Sequence, residues 1–155
     1  MNEDQTIRLA RPDEWGAVLS CVEDAYAKYV PRMGMKPAPM LADYPALIAR
    51  DEVYVVPGPE GVRGVLVIEP RADHLFIENI AVRPDEQGRG YGFQLLRFAE
   101  DRARASGLPE LRLYTHEVMT ENVPYYARFG FEETGRRTED GYSRIFMRKR
   151  LPDQW

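Results

Sequence analysis

The segment Val82-Arg83-Pro84-Asp85-Glu86-Gln87-Gly88-Arg89-Gly90-Tyr91-Gly92 holds the residue types that grip a diphosphate. Pro84 stops the strand before it. Gly88, Gly90 and Gly92 remove Cβ atoms, so that a charged group can approach the main chain. A helix opening here leaves its first N–H groups outside the ladder and points its positive end at an anion. Arg89 could add a charged contact. A nucleotide P-loop needs a Gly-Lys-Ser/Thr ending, and the dinucleotide fingerprint needs Gly-x-Gly-x-x-Gly after an early strand of a βαβ chain. This is Gly-x-Gly-x-Gly in the middle of an antiparallel-looking run. The competing reading is a glycine-rich connection required only for packing.

A proton-transfer group stands just upstream. Glu78 lies inside the run His74 to Val82, which is apolar on both faces and therefore reads as a central strand. In an extended strand it shares a face with Ile80 and Val82. A carboxylate there is costly unless it is paired or functional; pairing with an arginine of a neighbouring strand, or a place at a bulge, is the structural alternative. Cys21, the single cysteine, reads as an inert core residue of the first helix rather than a nucleophile. It excludes an internal disulfide and a thiolate metal cluster. With His74 and His116 as the only histidines, no metal is expected. His116, just after the strand Leu111 to Thr115, could face a cleft and relay a proton, or simply be solvated.

The elements that must position these groups follow from periodicity and breakers. Thr6 to Leu9 alternates like a short strand, and a helix from about residue 13 to 28 carries an expected inner stripe of Trp15, Val18, Leu19, Val22, Ala25 and Tyr26. Val30 to Met40, with three prolines and a glycine, cannot be one regular element and reads as a loop. Asp43 to Arg50 is a short helix. Val53 to Val56 and Val62 to Ile68 flank a turn, Pro57 to Gly61, as a hairpin. After the glycine turn, Phe93, Leu95, Leu96, Phe98, Ala99 and Ala103 mark a helix that Gly107 can end. A strand at 111–115, a helix at 120–129 and strands near 131–137 and 142–150 complete the chain. The order is β-α-α-β-β-β-α-β-α-β-β, an α/β chain of the α+β type.

Composition bounds the rest. The 155 residues fit one domain, 1–155. A formal charge of −4 gives no global attraction to nucleic acid or an anionic membrane, so neither is expected as a partner. The acidic start Met1 to Gln5 does not resemble a leader, no run approaches the ~18 apolar residues of a membrane span, and a cytoplasmic location is expected.

On the glycine turn the chain resembles the GNAT acyl-CoA N-acyltransferase superfamily, whose signature is Gln/Arg-x-x-Gly-x-Gly/Ala after a strand with a hydrophobic-Ala-Val-like ending. Gln87 to Gly92 matches it at each defined position, and Tyr125-Tyr126-Ala127-Arg128-Phe129-Gly130-Phe131 resembles the family's Tyr-x-x-Leu/Phe-Gly-Phe. The resemblance covers roughly residues 5–150 and is weakest over 25–50. It implies a mixed, mostly antiparallel sheet of six to seven strands with about four helices. It also implies acetyl-CoA as co-substrate, in a cleft where two strands splay apart. The backbone of Ile80, Ala81 and Val82 would hold the pantetheine arm, and Gln87, Gly88, Arg89, Gly90, Tyr91 and Gly92 the diphosphate.

The reaction implied is direct attack of an amine on the thioester. Glu78 is then the base, directly or through water, and Tyr126 the acid for the leaving thiolate; a core aromatic is the other reading of Tyr126. Relatives carry an asparagine where this chain has Met119, while Asn122 could contact the pantetheine or only cap its helix. Tyr26, Tyr29, Arg32 and Met33, with His116, could form an acceptor wall beside the proline-rich loop. Arg136, Arg137 and Arg148 to Arg150 are solvated strand ends or contacts for the 3′-phosphoadenosine. A small-molecule amine is the favoured acceptor. A protein N-terminus or lysine is the alternative, and a non-catalytic acyl-CoA-binding module the rival class. The tail strands could pair across a homodimer.

Overall fold

The computed structural model of the chain describes residues 6–59 and 61–152. The acidic pentapeptide Met1 to Gln5 and Glu60 of the expected hairpin turn lie outside the described residues. Strand β1 (Arg8–Leu9) is followed by α1 (Trp15–Tyr26), α2 (Tyr29–Met33) and α3 (Tyr44–Ala49). Next come β2 (Val53–Gly58), β3 (Gly61–Pro70) and β4 (Leu75–Val82). Then α4 (Tyr91–Ala105), β5 (Glu110–His116), α5 (Asn122–Arg128), β6 (Glu132–Glu139) and β7 (Tyr142–Arg150) complete the order. The seven strands form one mixed sheet in the order β1-β2-β3-β4-β5-β7-β6. The pairs β1–β2, β2–β3, β5–β7 and β6–β7 are antiparallel, and β4–β5 is parallel.

Three helices rather than two precede β2, and the extra one falls in the segment read as a loop. Pro31 is tolerated in α2 because it sits in the first turn, where a missing N–H breaks no bond. Gly34 ends the helix at φ 70° with its N–H on the Val30 carbonyl at 2.9 Å. Asp43 caps α3, its side chain accepting from the Ala46 N–H at 3.1 Å. Among the described residues, no helix is long and apolar enough to cross a membrane.

The chain packs as two compact units, Met1–Ile68 with Glu78–Phe98, and Glu69–Ile77 with Ala99–Trp155. In the first, α1 buries Val18, Cys21, Val22 and Ala25, a stripe at three- and four-residue spacing. These residues join Leu47 and Ile48 of α3, Val53 and Val55 of β2 and Val62, Val65 and Val67 of β3 in one cluster. Each fully buried valine contributes about 1.5–3 kcal/mol. Trp15 does not join the stripe as expected: it is 48% exposed, because it opens the helix beyond the end of the cluster, and Cys21 takes an inward place instead. In the second unit the strands alternate with period two. Leu111, Leu113 and Thr115 of β5 and Ile145 and Met147 of β7 are buried, while Arg112, Tyr114, Phe146 and Arg148 between them are partly exposed. The outer strand β6 is exposed and charged almost throughout, a composition that discourages edge pairing.

Candidate functional site

A single 3-10 turn, Pro84–Glu86, ends the run of β4. Gly88 and Gly90 then adopt φ of 84° and 86°, the left-handed region that costs an L residue about 1–2 kcal/mol. A Cβ built on either would meet nothing within 4 Å. Glycine is therefore required here by the sign of φ, and the open space it leaves is a cradle. The ladder of α4 starts with Gln94 N–H donating to the Gly90 carbonyl at 3.0 Å, so the amides before it belong to the helix's open end. This donor set, with the positive end of a 15-residue helix behind it, fits a diphosphate.

Two side chains shape the turn. Gln87 folds back and donates from Nε2 to the Val82 carbonyl at 3.1 Å. Arg89, 63% exposed, stands 3.3 Å from Glu86 Oε1, whose other oxygen lies 3.4 Å from Arg63 Nε. Glu86 and Arg63 are site neighbours that sequence reasoning missed; an acid three residues before an arginine is a common surface pairing and gave no signal. Tyr91 is only 4% exposed, with the Arg63 guanidinium 5.9 Å from its ring centre, so its ring anchors the start of α4.

Along β4, Glu78 is exposed and Ile80 and Val82 are partly exposed, while Ile77, Asn79 and Ala81 between them are buried. The face shared by Glu78, Ile80 and Val82 is thus present, but the burial cost expected for Glu78 does not arise, because that face is open at the carboxylate. The two edges of the strand also differ. Arg83 N–H donates to the Arg63 carbonyl on β3 at 3.0 Å, which turns the main-chain groups of Arg83 and Ala81 toward β3 and those of Ile80 and Val82 toward the other edge. On that edge the Val82 carbonyl accepts from Gln87 and the Ile80 carbonyl from the Tyr26 hydroxyl, at 3.1 Å each.

Tyr26 is therefore a tie between α1 and β4. Its hydroxyl also reaches Asn79 Oδ1 at 2.9 Å; Asn79 Nδ2 donates to the Tyr44 hydroxyl at 3.0 Å, and Tyr44 donates to the Pro39 carbonyl. Burial, opposed in part by the Asn79 bond, pushes the Tyr44 phenol well above its usual range, so it remains a donor. Asn79 was not singled out, although a carboxamide in an apolar strand carries the same burial cost that drew notice to Glu78. Of the other expected wall residues, Tyr29 is buried, with Lys28 Nζ and the Arg32 guanidinium each 5.1 Å from its ring centre. Arg32 is exposed and Met33 partly so.

In the second unit, Tyr126 is buried on α5, edge-on to Tyr125 at 5.4 Å and to Phe131 at 5.7 Å. Its carbonyl accepts from the N–H groups of Phe129 and Phe131. Gly130, at φ 104°, makes that return possible, and Lys149 lies where a Cβ would stand. Asn122 opens α5 but does not cap it: Nδ2 donates to Thr115 Oγ1 at 3.0 Å and approaches Met119 Sδ at 3.6 Å. His116 has both ring nitrogens 3.2 Å from main-chain N–H groups, those of Val118 and Ser143. A neutral imidazole offers one acceptor nitrogen, so the ring is largely occupied by the backbone. Burial chiefly, and Arg144 next to it, lower the His116 pKa against the pull of Glu117. Cys21 is fully buried, and burial pushes its thiol up to about 12, which removes it as a nucleophile near neutral pH. Arg136, Arg137 and Arg148 are paired with Glu133, Glu139 and Glu132, and Lys149 is bound to Glu100 at 2.7 Å.

The acetyltransferase (GNAT) family model matches residues 20–131, and the chain belongs to that family. It is 31% identical over 107 residues to an L-methionine sulfoximine/L-methionine sulfone acetyltransferase of Pseudomonas paraeruginosa, an alignment covering 63% of this chain and 56% of the relative. The chain thus spans a little over half the length of that curated relative. Its fold is similar to that of the PaiA N-acetyltransferase from Thermoplasma acidophilum in complex with coenzyme A, at TM-score 0.79 and 16% identity over 94% of this chain and 98% of the other. It is also similar to that of the ribosomal-protein-S18-alanine N-acetyltransferase from Escherichia coli, at TM-score 0.74 and 19% identity over 97% and 96%.

Proposed function

We propose that this chain transfers an acetyl group from acetyl-CoA to a small-molecule amine by direct attack within a ternary complex. The observation that carries the reading is the turn Gln87 to Gly92, with two left-handed glycines, an open cradle and the start of α4 behind it. Its amides and Arg89 would hold the diphosphate, with Arg89 exchanging Glu86 for phosphate oxygens. The main-chain groups of Ile80 and Val82 share one edge of β4 and would receive the pantetheine amides. The family resemblance gives Asn122 as a further contact for that arm. Acetyl-CoA, when bound, supplies an acyl group already activated as a thioester.

The chain's own groups manage protons. An amine of pKa ~10 arrives largely protonated, and Glu78, exposed on the face of Ile80 and Val82, accepts its proton directly or through water. The Tyr126 hydroxyl donates its proton to the departing sulfur. The methionine sulfoximine acetyltransferase relative supports a small amino-acid-like acceptor.

A thiol-release assay with acetyl-CoA tests this over a panel that includes methionine sulfoximine, polyamines and peptides with a free α-amine. Small amines should turn over, and Glu78→Gln and Tyr126→Phe should each lower kcat by about 10²–10⁴. Coenzyme A binding without thiol release from any amine would make the chain a binding module. Turnover confined to peptides would make the acceptor a protein. Full rates in both variants would remove Glu78 and Tyr126 from the mechanism.

A further inference from the structure

Within the second unit, a cavity of about 440 Å³ is lined by Arg71, Arg112, Arg136, Arg137 and Arg148 and, among the described residues, by no carboxylate. The register gathers Arg112, Arg137 and Arg148, since Arg137 stands opposite Arg144, two residues from Phe146; Arg71 comes from the connection before β4, and Arg136 reaches the cavity from beside Arg137. Arg112 of β5 stands opposite Phe76 of β4 on one side and Arg148 of β7 on the other, and Phe146 stands opposite Gly135 of β6. Directly opposed residues project from the same face, so three strands present guanidinium and aromatic groups together. What is gathered is a set of guanidinium forks rather than a net positive charge, because each arginine has a carboxylate beside it and Arg112 has a second, Asp73, at 3.5 Å.

Each arginine is held at the rim by an acid: Arg71 by Glu69, Arg112 by Glu110, Arg136 by Glu133, Arg137 by Glu139 and Arg148 by Glu132, at 2.6 to 3.1 Å. Four of the five arginine side chains are more than 40% exposed, and pairs so exposed contribute little net energy. They orient the guanidinium groups without exhausting the five donors of each. The aromatic faces are already covered, with Arg71 4.2 Å from the Phe76 ring centre and Arg137 4.3 Å from that of Phe146. Little bare ring remains for stacking a base, and recognition falls to charge and forked hydrogen bonds, for which phosphate is the matching group. The volume suits a small molecule.

We propose that this cavity is a second ligand site, independent of the glycine turn, which binds a small molecule carrying two or more linked phosphate groups. The residues involved run from Glu69 to Phe76 and through β5, β6 and β7, and the proposal does not rest on the acetyltransferase reading.

The test is calorimetric titration of the full chain with inorganic tripolyphosphate at low salt, on wild type, the double variant Arg112→Gln/Arg136→Gln, and Arg89→Gln in the glycine turn. The expected result is a binding event that weakens at least tenfold in the double variant and persists in Arg89→Gln. Arg112→Lys/Arg136→Lys, which keeps the charge but loses the fork, should weaken it as well and serves if the glutamine variant fails to fold. Absence of binding, loss in Arg89→Gln but not in the double variant, or citrate binding as tightly as tripolyphosphate would each overturn the proposal.

Discussion

The Tyr26 hydroxyl donates to the Ile80 carbonyl at 3.1 Å while sharing its proton with Asn79 Oδ1 at 2.9 Å. One phenol near the end of α1 thus fixes both the side chain of Asn79 and the edge of β4 that carries Ile80 and Val82. Tyr26→Phe leaves a buried carboxamide short of a partner and frees the carbonyl. Stability should fall by about 1–2 kcal/mol in urea denaturation. In the thiol-release assay the KM for acetyl-CoA should rise by a larger factor than kcat falls. An unchanged KM would show that β4 keeps its edge in place without Tyr26.

Acid should find a specific weak point at the start of the chain. Arg8 donates to both carboxylate oxygens of Glu14, at 2.8 and 2.9 Å, and the Arg11 N–H adds a third bond at 2.7 Å. The Arg8 hydrogen bonds chiefly, against burial, lower the Glu14 carboxyl from 4.5 to about 2. A carboxyl with a depressed folded pKa contributes stability that is complete above its unfolded value and is lost as pH falls toward the folded one. Between pH 4.5 and 2 the Tm of wild type should therefore fall more steeply than that of Glu14→Gln. Parallel curves would remove this pair from the acid response.

Legibility in the sequence followed the physical strength of each signal. The glycine turn was readable because few residues tolerate φ near +85°, and a proline, three glycines and an amphipathic helix in succession leave little else to build. The alternation in β5 and β7 was readable for the same kind of reason. The segment from Tyr29 to Leu41 was not, because Pro31 reads as a breaker unless the helix start is known to lie just before it. Asn79 was missed beside Glu78: what distinguishes them is which face is buried, and a strand apolar on both sides does not disclose that. The arginine-lined cavity was invisible as a unit, since Arg112, Arg136 and Arg148 come from three separate strands and Arg71 from the connection before β4, and they meet only once the chain is folded.

Cys21 offers a readout of the α1 core. Its thiol is fully buried and raised to about 12, mainly by burial and partly opposed by Arg83. At pH 8 the native protein should react with a thiol-specific disulfide reagent only as fast as it opens, and release one equivalent at once in 6 M urea. Cys21→Ala should retain thiol-release activity while losing stability, because it leaves a void in a close-packed cluster. Rapid native labelling would mean that α1 detaches readily from β2 and β3.

Two glycines with equally open surroundings should respond to the same substitution with opposite signs. A Cβ at Gly90 meets nothing within 4 Å, but φ there is 86°; Gly16, in α1, is just as open and its φ is outside the left-handed region. Gly90→Ala should therefore cost about 1–2 kcal/mol of stability, and Gly16→Ala should add about 0.5 kcal/mol by lowering the entropy of the unfolded chain. The functional consequences separate further. Relieving the strain at residue 90 means rotating an amide out of the cradle, so coenzyme A affinity should drop at least tenfold in Gly90→Ala and remain unchanged in Gly16→Ala. Equal affinities in the two variants, measured by calorimetry, would detach the turn at Gly88 to Gly90 from diphosphate binding.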